Sequence, residues 1–85
     1  MSGVFINKTP DGRNNLCGKK IAQHRKAIGK SQKQLADALQ IAGLDVDKNA
    51  IQRIEAGKRF VTDIELTTIA KVLNLTLEEL LLPNE

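Results

Sequence analysis

Residues 48–53 read Lys-Asn-Ala-Ile-Gln-Arg. Wound into a helix, this stretch puts Lys48, Asn49, Gln52 and Arg53 on or near one outward face, because positions three and four apart are helix neighbours. Ala50, Ile51 and Ile54 then form the inner face. The outward side chains are long donors or amides. Asn and Gln can pair with two atoms of an adenine edge in the major groove of duplex DNA, and Arg or Lys with guanine. No acid lies between Asp47 and Glu55, whereas a merely solvated helix face usually mixes both signs. The pattern points to base edges as the ligand and predicts a recognition helix over residues 48–56.

A second set of residues suits phosphates. Ser31-Gln32-Lys33 opens another helical stretch, and a helix N-terminus offers free N–H groups with positive dipole character. Ser31 is the N-cap there, and Gln32 and Lys33 extend the site. Lys58 and Arg59 follow the recognition helix, and Arg13 lies on the segment before the first helix. All are candidates for the sugar-phosphate backbone. One helix that presents donors to bases and another that pins phosphates are the working parts of a helix-turn-helix.

Other chemistries fare poorly. Cys17 and His24 are the only soft metal ligands, and a structural zinc site needs four. Seven helical positions separate the two by roughly 10 Å, too far for a nucleophile and its base. The six glycines are scattered and form no phosphate loop. Glu78 and Glu79 open a helix, where they complement its dipole. No catalytic residue, metal site or cofactor is expected. No segment approaches the roughly 20 apolar residues that span a bilayer, and no signal peptide is evident. One cysteine cannot staple the chain to itself, which fits a reducing cytoplasm.

These residues must be positioned by a small core. The chain has 85 residues, 41% of them hydrophobic and 2% aromatic, so the core is aliphatic and suits packed helices. Thr9-Pro10-Asp11-Gly12 reads as a type I turn, within an arm over residues 1–15 whose Val4, Phe5 and Ile6 fold back onto the domain. Asn14 or Asn15 caps helix 1, which runs Leu16–Ile28 with Leu16, Ile21, Arg25 and Ile28 on one face and Gly29 at its end. Arg25 is a cation on an apolar face and wants a partner; Glu55, on the inner side of helix 3, is the candidate. Helix 2 follows Ser31, buries Leu35, Ala36, Leu39 and Ala42, and stops at Gly43. Asp47 caps helix 3 and Gly57 ends it. Thr62 and Glu65 have capping-box spacing and open helix 4, which buries Ile64, Ile69, Ala70, Val72 and Leu73. Thr76 and Glu79 repeat the device for helix 5, with Leu77, Leu80 and Leu81. The expectation is a compact all-α domain over residues 16–85, preceded by an extended arm.

Charge is polarised along the chain. Residues 1–30 carry seven Lys or Arg and one acid, Asp11, whereas residues 61–85 carry one base, Lys71, and five acids. A polyanion would meet the first part and avoid the second.

The stretch Leu16–Leu82 resembles the lambda-repressor-like, or Cro/repressor (XRE), helix-turn-helix family. The resemblance rests on Ile21-xxx-Arg25-xxx-Gly29-x-Ser31-Gln32-xx-Leu35-Ala36, then Ile51-Gln52-Arg53-Ile54-Glu55-x-Gly57-x-Arg59, then Leu66-xx-Ile69-Ala70-x-Val72-Leu73. It implies a five-helix domain that binds operator DNA, usually as a dimer on a palindromic site. It places Gln32 at a phosphate position and Lys48, Asn49, Gln52 and Arg53 at recognition positions. It also implies that Arg25 and Glu55 form a pair tying helix 1 to helix 3. The sequence departs from the family between Leu39 and Ile51, twelve positions apart, where members are usually shorter. The extra residues, within Gln40–Val46, either lengthen helix 2 or loosen the connector.

The expected function is therefore a sequence-specific transcriptional regulator, a repressor, in the cytoplasm at a prokaryotic nucleoid, with a phage or mobile element as the expected source. A protein-interaction module on the same fold, such as an antitoxin with a protein partner, is the alternative. One recognition helix reads few base pairs, so a homodimer is expected. Its contact falls to the acidic C-terminal helices, because Leu80, Leu81 and Leu82 cannot all enter one small core.

Overall fold

The computed structural model describes residues 8–82, and the expected docking of Val4, Phe5 and Ile6 lies outside them. Five helices follow in order: α1 (Gly18–Ala27), α2 (Gln32–Ile41), α3 (Lys48–Glu55), α4 (Asp63–Leu73) and α5 (Leu77–Leu81). The described residues contain no strand, and none of their helices is long and apolar enough to cross a membrane. α3 packs between α1 and α2, α4 lies against α2, and α5 closes on α1 and α4. Ile21, Leu35, Leu39, Ile51, Ile54, Ile69 and Leu80 are the large side chains sealed at the centre.

Local signals place the helix starts. Ser31, Asp47, Thr62 and Thr76 are all N-caps, each accepting the N–H three residues on. Gln34, Glu65 and Glu79 complete reciprocal capping boxes. At the other end of α2, Leu44 N–H reaches the Leu39 carbonyl (2.9 Å) and Gly43 N–H the Gln40 carbonyl (3.0 Å). This double closure needs a left-handed residue, and Gly43 supplies it with φ +97°.

Several expected core positions are not core. α1 begins at Gly18, later than Leu16, and Leu16 and Ile28 are exposed. Leu16 belongs to a segment held down at Asn14 and Asn15, and Ile28 is the cap residue beyond the last packed turn. Ala42 is likewise the exposed cap of α2. Ile64 is exposed because five helical positions place it about 140° around α4 from Ile69. Leu80 alone of the three terminal leucines is buried; Leu81 and Leu82 face outward.

Of residues 40–46, Gln40 and Ile41 continue α2, less than a full turn, and the rest lie beyond its end at Ile41. They form a connector, and it is anchored: Val46 is buried, and Gln40 Nε2 donates to the Val46 carbonyl at 2.7 Å.

Candidate nucleic-acid interface

α3 is eight residues long, and its outer side is polar throughout. Ile51 and Ile54 are buried, Ala50 is half-buried, and Lys48, Asn49, Gln52 and Arg53 are exposed. Asn49, Gln52, Arg53, Ala56 and Lys58 line one shallow cleft of about 390 Å³. Four of the five present nitrogen donors, and none is acidic. Asp47 Oδ1 takes the Ala50 N–H at 2.8 Å, so the carboxylate that precedes the helix is occupied with capping.

The helix is held from below by an ion pair. Arg25 Nε and Nη2 donate to the two carboxylate oxygens of Glu55 at 2.7 and 2.9 Å, and both side chains are 8% exposed. Hydrogen bonding to Glu55 pushes the Arg25 guanidinium above its usual range, against the opposing effect of burial. Arg25 Nη1 also donates to the Lys30 carbonyl at 2.7 Å, and Gln32 Nε2 donates to Glu55 Oε1 at 3.0 Å. One carboxylate thus joins α1, the start of α2 and the end of α3. Because α2 begins at this network, the orientation of its first turn relative to α3 is set there.

The residues expected at phosphates divide into two groups. Lys33 and Lys58 are exposed; Lys33 pairs only with Asp37, a solvated contact on its own helix at 3.1 Å. The N–H groups of Gln32 and Lys33 are not taken by the capping box, which uses those of Ser31 and Gln34. The other side chains have partners within the domain. Ser31 Oγ accepts the Gln34 N–H, and the Gln32 amide lies on Glu55. Arg59, expected to grip the backbone, forms a two-pronged pair with Glu65 at 3.0 and 2.7 Å. That bond pushes the Arg59 guanidinium up and holds the Glu65 carboxyl below its usual range. Arg13, expected to be free, donates from Nη2 to the Glu55 carbonyl at 2.6 Å. Sequence reasoning missed both arginine contacts, since Arg59 meets its partner across a loop and Arg13 meets a backbone atom 42 residues away.

Cys17 is buried, and burial pushes its thiol up to about 11, leaving it protonated and inert at neutral pH. The described residues contain no cluster of three His, Cys, Asp or Glu side chains able to hold a metal ion.

Residues 21–80 match the helix-turn-helix family, a span that takes in all the α3 donors and the Arg25–Glu55 pair. No curated protein sequence matches the chain. Among solved structures, it is similar to the restriction-modification controller protein C.AhdI from Aeromonas hydrophila, with a TM-score of 0.65 and 27% identity over 74% of this chain and 84% of that one. The five-helix order, the donor face on α3 and the family match agree, and the chain belongs to the helix-turn-helix family as a DNA-binding transcriptional regulator of the XRE type.

Proposed function

We propose that the protein is a repressor that binds a palindromic operator as a homodimer, with α3 in the major groove. The acid-free cleft of Asn49, Gln52, Arg53, Ala56 and Lys58 carries this reading. Asn49, Gln52 and Arg53 read base edges, with Lys48 at the mouth of the groove. Lys33, Lys58 and the open N–H groups of Gln32 and Lys33 hold phosphates, consistent with their exposure or lack of partners. The likeness to a restriction-modification controller suits a small DNA-binding regulator.

Selection of bound sequences from random duplex DNA, at a stated salt concentration, tests the reading; no enrichment would overturn it. On the selected operator, replacing Asn49 and Gln52 together by Ala should cost about 1–3 kcal/mol for each lost two-point base contact and relax two base preferences. Lys58→Ala should weaken all duplexes alike and flatten the salt dependence. An operator preference that survives the double alanine variant would remove α3 from the role of base reader.

The dimer contact is proposed at α5. Leu81 and Leu82 are exposed and share an apolar groove with Leu16, which precedes α1. Two-fold pairing would set two recognition helices about 34–36 Å apart, one turn of DNA. Replacing Leu81 and Leu82 by Glu should leave the fold intact, since neither is core, and turn steep operator binding into shallow, one-subunit binding. Sedimentation with and without the duplex reads this directly. Two subunits per site in the double variant would place the contact elsewhere.

A further inference from the structure

We infer that Arg13, Asn14 and Asn15 are positioning residues for base reading: they strap the C-terminal end of α3, and Lys58 beyond it, to the start of α1. This rests on α3 being the recognition helix. The last carbonyls of any helix lack partners within it, and here the preceding turn supplies donors for them. Arg13 Nη2 donates to the Glu55 carbonyl at 2.6 Å. Asn14 N–H donates to the Gly57 carbonyl at 2.8 Å, and Asn14 Nδ2 to the Lys58 carbonyl at 3.1 Å. Asn15 Nδ2 is shared between the carbonyls of Ile54 (3.0 Å) and Arg59 (2.8 Å), while its Oδ1 takes the Gly18 N–H at 2.8 Å. Five carbonyls between residues 54 and 59 are thereby held by three consecutive side chains and one N–H.

The room for this strap is built in. Arg13 lies against Gly57, where a Cβ would fall 2.7 Å from Arg13 Cζ, and against Gly18, where a Cβ would fall 2.6 Å from Arg13 Nη2. A cation at a helix C-terminus is also favourable for the dipole. An eight-residue helix is too short to be stable alone, so whatever grips its ends sets its direction. Contacts that read bases must hold to within about 0.5 Å and 10–20°. The turn holding these side chains is itself closed, with Gly12 N–H on the Thr9 carbonyl at 2.9 Å and Arg13 N–H on Thr9 Oγ1 at 2.9 Å. The competing role for a basic segment at this place is direct phosphate contact, which the inward guanidinium of Arg13 does not favour.

The test uses the full chain with Arg13→Met, Arg13→Lys and Asn14→Ala. Two quantities are measured: affinities for the selected operator and for random duplex across a salt series, and amide exchange at Ala56, Gly57 and Lys58 without DNA. Arg13→Met should lose about tenfold in operator affinity, the scale of one hydrogen bond from a charged donor. Random-duplex affinity and salt dependence should stay unchanged, and the three amides should exchange faster. Arg13→Lys, which keeps a donor, should recover part of the loss. Asn14→Ala, which gives up only the bond to the Lys58 carbonyl, should show a smaller effect of the same kind and serves if Arg13→Met fails to fold. Equal losses on both duplexes with a flatter salt dependence would overturn the strap in favour of phosphate contact, and unchanged exchange with an unchanged operator preference would overturn it outright. If the unaltered protein binds no duplex, the proposed function fails, and the exchange measurement still decides the strap.

Discussion

Arg25→Met should destabilise the domain by about 3–5 kcal/mol, because it leaves the Glu55 carboxylate buried without its cation. Glu55 is 8% exposed and would retain only the Gln32 amide. For a domain of this size each kcal/mol shifts the melting temperature by about 4–8 °C, so the loss should be plain in a thermal scan. Glu55→Gln should cost less, since Arg25 keeps the Lys30 carbonyl and an amide replaces the carboxylate. The double variant Arg25→Met, Glu55→Leu should recover much of the loss, as buried pairs replaced by packed apolar groups often do. A cycle through Arg25→Met, Glu55→Leu and their double variant measures the coupling, and additive effects would mean that the two side chains act independently. Raising the salt should hardly change the coupling, because a buried pair is poorly screened. The surface pairs Lys19–Asp11 and Lys33–Asp37 offer the contrast: both are largely solvated, and removing either should leave the melting temperature nearly unchanged. The recovered double variant should still bind its operator less well, because the carboxylate also holds Gln32 at the start of α2.

Gly18→Ala is expected to destabilise by about 2–4 kcal/mol, against the gain of up to about 1 kcal/mol that alanine normally brings to a helix. Gly18 begins α1 with an ordinary backbone conformation, so strain is not the cause. The cause is proximity. A Cβ there would press on the Ile54 carbonyl oxygen, and would fall 2.6 Å from Arg13 Nη2 and 2.7 Å from Asn15 Oδ1. The Ile54 oxygen is backbone of the packed α3 helix and cannot swing aside, so α1 must move or the Asn15 bonds must break. Denaturant unfolding checks the sign, and a neutral or stabilising alanine would show that the α1–α3 approach is looser than described. Combining Gly18→Ala with Asn15→Ala should cost less than the sum of the two, because both disrupt the same bonds.

Much of the site was legible in the sequence because its signals are local. Asp47 capping α3, and the Ser31, Thr62 and Thr76 caps, are satisfied within three residues, so type and spacing suffice to find them. The split of α3 into Ile51 and Ile54 inside and Asn49, Gln52 and Arg53 outside follows from helical period alone. Asn74 as the left-handed end of α4, φ 58°, was an unread signal of the same kind, since Asn tolerates that conformation better than most residues. The tertiary structure decided which polar side chains are free. Arg13, Gln32 and Arg59 look like surface donors in the sequence and Asn15 like a helix cap, yet each donates to a carbonyl or carboxylate brought close by folding. It also decided that Leu16, Ile28 and Ile64 stay exposed. Periodicity tells which residues share a face of one helix, but whether another element covers that face depends on where the chain turns. Those directions are set by partners such as Arg13 with Glu55 and Asn15 with Arg59, more than forty residues apart in sequence and adjacent only once the core has formed.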